Sequence, residues 1–410
     1  MRFDQLSGQS SRAATGCAIA LGFSIPISVA LDNVLLALVL AFWLAAGGFQ
    51  EKLRWLAGHR VAQAACALFA LLALGITWSD QVAEGLRLLG KYSDLAFVPI
   101  FATLFRAETA RRRAGAALIA AVLLTLSLSY LTLAGLMPPG LPVLTEVTQP
   151  YQVFKKYLTQ SILMAVGAYL FALLARNAPS RGKRLIWTLL SILAGINVIL
   201  MLSGRSGQIT LAALALLFAF SVYRWKGLGL ITAVFVFVGA GVIFGYASED
   251  NRFTAAVKEF KAWQPGQGIR TSTGQRLDYA LNSAAIVREH PLIGVGTGGF
   301  AAAYARQVEG TPLEATVNPH NEYLNIAVQL GIAGFLAISV LFAMVWRHAR
   351  TLPTTLEQDL ARGLAVTFAI GCLFNSMLMD HVEGLFFAWG IGVLYGGYGA
   401  ARPLAESEKP

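Results

Sequence analysis

Charge is what this sequence has least of. Only 13% of its 410 residues are Asp, Glu, Lys or Arg, against 56% that are hydrophobic. Soluble domains carry about 25% charge, so a water-facing globule is excluded. Cysteine is scarcer still. Cys17, Cys66 and Cys372 each lie in an apolar run. That excludes a disulfide framework and reads as three small buried hydrophobes. There are five histidines, and no His/Cys/Asp group has the spacing of a metal site. No metal and no cofactor is expected. The glycine-rich run from Gly294 to Gly299 lacks the Lys-Ser/Thr that would complete a phosphate loop, which sets nucleotide binding aside. A flexible cover, or a close backbone approach to a bound lipid or sugar, is expected there instead. The net charge is +10, yet no soluble domain presents the basic face that nucleic-acid binding needs.

Apolar runs are what the chain has in abundance. Many approach the roughly 20 residues that cross a bilayer core. The fold class is an all-α polytopic membrane protein with about twelve transmembrane helices. They fall near 13–30, 33–49, 61–78, 93–105, 114–135, 158–175, 185–202, 207–222, 228–246, 322–346, 359–378 and 384–401. The first run lacks a clear cleavage site and reads as a retained helix. The fourth is short and follows an amphipathic stretch, Gly85–Gly90, suited to the interface. With the N-terminus inside, every short inside connection carries lysine or arginine, as the positive-inside rule requires.

The organisation is then residues 1–246 as helices one to nine, 247–319 as an outside loop, 320–402 as helices ten to twelve, and 403–410 as an inside tail. The long loop holds seven basic and seven acidic residues, so a positive site in it must be local. Thr273-Gly274-Gln275-Arg276 starts a helix of about four turns, with Leu277, Leu281, Ala284 and Ala285 on one face. His290-Pro291 ends it. A second outside loop, 136–157, ends in Lys155-Lys156.

The stretch Asn318-Pro319-His320-Asn321-Glu322-Tyr323-Leu324 opens the tenth helix. Asn318 suits an N-cap and Pro319 the first helical position. His320 then falls in the first turn, where unpaired N–H groups attract anions and the dipole disfavours imidazolium. The plain alternative is a histidine that only decorates an interfacial helix end. Arg205, in Ser203-Gly204-Arg205-Ser206-Gly207, occupies a short outside turn where the glycines allow a ligand close approach. Arg276 starts the loop helix and is preferred to Arg288 as a phosphate contact, since twelve helical steps put the two on different faces. Asp380-His381, with Glu383, lies in the last outside turn and offers either an acid–base pair or a polar cap. A diphosphate held without metal needs fixed positive charge, which arginine supplies best.

From Gly274-Gln275-Arg276 through His290-Pro291-Leu292-Ile293-Gly294-Val295-Gly296 to His320-Asn321-Glu322-Tyr323-Leu324, the chain resembles the O-antigen ligase/polymerase superfamily. The span number and the large, partly helical periplasmic loop between helices nine and ten match it too. The resemblance implies a GT-C-like enzyme of the bacterial inner (cytoplasmic) membrane with its active site facing the periplasm. It implies metal-independent, inverting transfer of a glycan from undecaprenyl diphosphate to a sugar hydroxyl of lipid A–core, completing lipopolysaccharide. The implied base is His320, and Arg205 and Arg276 are the implied diphosphate contacts. Lys155, Lys156, Arg270, Asn321, Asp380 and His381 are further candidates. A ligase is expected over an O-antigen polymerase, whose outside loops are typically two and arginine-rich, and over a protein O-oligosaccharyltransferase, whose C-terminal region is longer. A lipid flippase is the alternative of another class. It would want ionisable groups at midplane.

Overall fold

The computed structural model describes residues 2–137, 150–202, 204–223, 229, 258–267 and 271–398. But for Gly229, the expected ninth span falls outside them, as do Arg270 and the 403–410 tail. Among the described residues the chain is helical, without strands.

The helices are α1 (Arg2–Ser24), α2 (Val29–Ala45), α3 (Phe49–Ala57), α4 (Arg60–Gly75), α5 (Val82–Lys91), α6 (Asp94–Leu104), α7 (Glu108–Leu133), α8 (Tyr157–Arg176) and α9 (Arg181–Ile196). They continue with α10 (Arg205–Tyr223). Then come α11 (Ser272–Glu289), α12 (Phe300–Gln307), α13 (Glu322–Ala349), α14 (Thr355–Gly371) and α15 (His381–Tyr395). Six described helices or helix pairs are long and apolar enough to cross a membrane, and a seventh span results if α2 and α3, bent by 107°, count as one. The chain is a multi-pass membrane protein. The expected total of twelve exceeds this count. The fourth expected span is the 11-residue α6, interrupted by Pro99, and the amphipathic stretch before it is a separate helix, α5.

One apolar core joins α1, α2, α4, α6, α13, α14 and α15 through residues such as Leu21, Leu68, Phe101, Ile338, Phe368 and Phe387. A second, smaller one joins α7, α8 and α9. Cys372 is buried, but Cys66 is exposed on the outer face of the bundle and Cys17 only half-buried. The expectation of three buried thiols therefore holds for Cys372 alone.

The glycine run has a different role from the one its sequence suggests. Gly331 leaves the helical region of α13, at φ 61 and ψ −151. Freed carbonyls at Val328 and Gln329 accept N–H groups from Val295 and Gly296, at 3.0 and 2.9 Å. Irregular backbone inside a candidate spanning helix is tolerated where protein, not lipid, satisfies it. A Cβ on Gly294 would lie 2.4 Å from the Gln329 backbone, and one on Gly298 would lie 2.2 Å from that of Gly85. The run is neither a cover nor a ligand cradle. It seats the outside loop in the break of α13.

Candidate functional site

The loop helix α11 lies against the start of α13. Its N-cap is Thr271, whose side chain accepts the Gly274 N–H at 3.1 Å. Glu259 accepts the Thr273 N–H at 3.2 Å, and Trp263 donates to Asp278 at 3.1 Å. These bonds fix the roll of the helix. Gly274, Asp278, Ser283 and Ile286 face inward, while Leu281 is 50% exposed. The expected apolar face is thus displaced, because polar anchors rather than leucines set the rotation. Arg276 and Tyr279, three residues apart, share a face. Tyr279 stacks on His320 with ring centroids 6.3 Å apart.

Helix α13 starts three residues later than expected. Asn321, not Asn318, is the N-cap, and its Oδ1 accepts the Leu324 N–H at 3.0 Å. Pro319 and His320 precede the helix. Asn318 instead accepts the His320 N–H and the Ser376 hydroxyl, both at 2.8 Å. That turn holds His320 in the left-handed region, at φ 53. Non-glycine residues pay for such geometry with strain, which concentrates at functional sites. Asn321 also donates to the Leu373 carbonyl at 3.1 Å, so both polar ends of its side chain serve structure.

The imidazole of His320 is hydrogen-bonded to Asn375, and Asn375 Nδ2 donates to Asp380 Oδ2 at 3.2 Å. With its amide nitrogen on Asp380, Asn375 offers its oxygen to an imidazole N–H. The second ring nitrogen then keeps its lone pair. Burial, and next the charge of Arg276, lower the His320 pKa below its ordinary value. The sequence expectation of a neutral imidazole stands in direction, but the cause is burial and an arginine rather than a helix dipole.

Arg205 is the first residue of α10. Gly204 and Gly207 pack on Ser161 of α8, where a Cβ would lie 2.4 and 2.3 Å from its hydroxyl. They allow helix-on-helix approach, not ligand approach. The packing brings Arg205 and Tyr157 to Arg276, whose pKa is lowered by burial and then by the Arg205 charge. Arg276 thus feels the charge of Arg205, and guanidinium groups are the side chains best suited to phosphate oxygens.

The two lysines diverge. Lys155 is buried and turned toward Asp32, at 3.7 Å, while Lys156 is exposed. The Nδ1 of His381 lies 3.4 Å from Asp94. Asp380 faces His320 and Lys156, along with Lys91, which the sequence did not single out. Glu322 was also missed. It is fully buried and accepts the Leu378 N–H at 2.8 Å and the Tyr92 hydroxyl. Its own N–H donates to the Cys372 carbonyl at 2.8 Å. An acidic residue in a first helical turn was the one available signal, and it more often marks a solvated end.

A cavity of about 620 Å³ at the far end of α8, beside Arg176 and Arg184, is remote from this chemistry. Nearer lies an open apolar groove of about 600 Å³ between α11 and α13, lined by Val287, Leu292, Leu324 and Phe335.

Residues 189–339 match the family model described as O-antigen ligase. That segment contains Arg205, Arg276 and His320. A Haemophilus influenzae protein described as uncharacterized is 28% identical over 93 residues, which span 22% of this chain and 23% of that relative. A turn arginine, a loop-helix arginine and a strained histidine at a helix entrance thus fall within one segment that matches the O-antigen ligase family model, a match consistent with the O-antigen ligase/polymerase superfamily.

Proposed function

We propose that this protein is an O-antigen ligase. In this reading it transfers a glycan from undecaprenyl diphosphate to a sugar hydroxyl of lipid A–core, on the periplasmic face of the inner membrane. The observation that carries the reading is Arg276, whose charge is felt by His320 while it feels that of Arg205. A base and a two-arginine anion site therefore adjoin.

His320 takes the proton of the acceptor hydroxyl as its oxygen attacks the anomeric carbon. The bond from that carbon to the diphosphate oxygen breaks, and the electron pair leaves with the diphosphate. Attack opposite the leaving group inverts the centre. Arg205 and Arg276 meet the charge that grows on the departing oxygen, which is where electrostatic stabilisation contributes most. Tyr279 and Asn375 hold the imidazole in place. The apolar groove beside the site supports lateral entry of a lipid chain from the bilayer.

Purified protein with both lipids tests this. His320→Ala should remove turnover while leaving donor binding. Arg205→Gln and Arg276→Gln should each lower turnover, and EDTA should leave the wild-type rate intact. Wild-type turnover in His320→Ala would exclude the base. Glycan added to a second donor lipid rather than to lipid A–core would assign the polymerase reaction instead.

A further inference from the structure

The cavity of about 620 Å³ at the far end of α8 serves no step of the reaction. Helix α8 starts beside the arginine turn, where a Cβ on Gly204 would lie 3.4 Å from the Tyr157 carbonyl oxygen. Its 20 residues then run about 30 Å, the thickness of a bilayer core. The cavity therefore lies at the membrane face opposite His320. It is a slot between α8, α9 and α10. Ala168, Ala172 and Ala175 share one face of α8 and leave room where larger side chains would close the packing. Leu211, Leu214 and Phe218 of α10 form the facing wall. On α8 the lining runs from Ala168 to Arg176, about 12 Å along the axis.

The charged groups collect at one end of the slot. Arg176 is the last residue of α8, and Arg184 lies in the first turn of α9. Arg176 donates to Ser221 of α10 at 3.0 Å and to Asp359 of α14. Asp359 also accepts from Arg362 at 3.1 Å, so this one carboxylate faces two guanidinium groups. Arg184 is exposed and has no ion pair among the described residues. No acidic residue lines the slot. Deeper in, Thr188 donates to the Arg184 carbonyl at 2.8 Å and Ser191 to the Ala168 carbonyl at 2.9 Å. Backbone thus takes these hydroxyl protons, and the interior offers a guest apolar contact. A cationic mouth over an apolar interior suits an anionic amphiphile.

We propose that this slot holds one anionic glycerophospholipid of the leaflet opposite the His320 site. Its phosphate meets Arg184 and Arg176, and one acyl chain lies between α8, α9 and α10. Guanidinium forks match phosphate oxygens, and basic pockets between spanning helices are where anionic headgroups bind. The proposal stands apart from the ligase reading, since the slot shares no side chain with Arg205, Arg276 and His320.

The test uses full-length protein purified in detergent, stripped of lipid, and given phosphatidylglycerol or phosphatidylcholine with the same acyl chains. Native mass spectrometry counts the lipid retained, and thermal unfolding reports its binding. Wild type should retain one phosphatidylglycerol and unfold at a higher temperature with it than with phosphatidylcholine. Arg184→Gln should weaken phosphatidylglycerol binding about fivefold, as loss of one basic residue at a charged membrane surface does. Its phosphatidylcholine binding should not change. Ala172→Leu should fill the slot and abolish retention, with the unfolding temperature in phosphatidylcholine as the check on its fold. If that variant is misfolded, Arg184→Gln on the exposed surface decides alone. Equal retention of the two lipids by wild type overturns the proposal, as does equal phosphatidylglycerol binding by wild type and Arg184→Gln. Wild type that retains no lipid also overturns it, and assigns the slot to the expected ninth span, 228–246.

Discussion

The backbone N–H of Leu378 donates to Glu322 Oε2 at 2.8 Å. The segment that carries Asn375 and Asp380 is thereby fastened to the first residue of α13. The reverse bond, from Glu322 N–H to the Cys372 carbonyl, closes the joint. Tyr92 donates to the same carboxylate and accepts from Asn325 at 3.1 Å. Gln329 extends the column, bonding Asn325 Oδ1 at 3.1 Å and accepting the Gly298 N–H at 2.7 Å. The segment that carries Asn375 and Asp380 and the glycine run are thus joined through one buried polar column.

Glu322 consequently acts as a positioning residue. Glu322→Gln keeps the volume but turns an amide N–H toward Tyr92 Oη, which already accepts from Asn325. The joint loosens and Asn375 shifts against His320. Since small misplacements of reacting groups cost up to about 100-fold, kcat should fall about 10- to 100-fold. Donor KM should stay within about threefold, because Arg205 and Arg276 are untouched. Steady-state kinetics with both lipids, beside thermal unfolding, separates this from plain destabilisation. An equal rise in KM with kcat retained would contradict the assignment.

The Arg276–His320 relation predicts a pH effect of definite sign. A base works in its neutral form, so activity is lost as pH falls through the His320 pKa. Burial and Arg276 both lower that pKa, which puts the acidic limb below about 6.5, the ordinary histidine value. Arg276→Gln removes one of the two causes. The limb should then move to higher pH, in addition to the drop in rate from the weaker anion site. The profile of kcat/KM against pH reports it for the free enzyme. A limb that stays in place or moves lower would mean that His320 does not titrate in the rate.

Much of this site was legible before folding was considered, and the rest was hidden for reasons that can be named. The loop helix was placed within a residue of its start, since Thr273-Gly274-Gln275-Arg276 reads as a helix start and His290-Pro291 stops the helix, although the cap itself is Thr271. The entrance of α13 was misplaced by three residues. Asn318 and Asn321 are equally good caps by type, and Pro319 favoured the first. Ser376, 58 residues away, takes Asn318 out of that role. Glu322 looked like an ordinary acidic first turn because Tyr92 lies 230 residues before it. The glycines announced a close backbone approach, but no local pattern says that the approaching surface is the protein's own.

Lys155 separates an anchoring lysine from a substrate-binding one. It was one of the further candidates beside the two arginines, but its ammonium group is buried 3.7 Å from Asp32. Asp32 in turn accepts the Ser24 hydroxyl at 2.6 Å. Lys155→Met should strand a buried carboxylate and destabilise the fold by ~3–5 kcal/mol. Adding Asp32→Asn removes that carboxylate and should recover most of the loss, as replacing both members of a buried pair generally does. Thermal unfolding in detergent reads both effects. The doubly substituted protein, once refolded to near wild-type stability, should keep its donor KM within about twofold, because an anchor deep in the bundle touches no diphosphate. A donor KM that stays high in that stable double variant would return Lys155 to the anion site and leave Asp32 as its orienting partner.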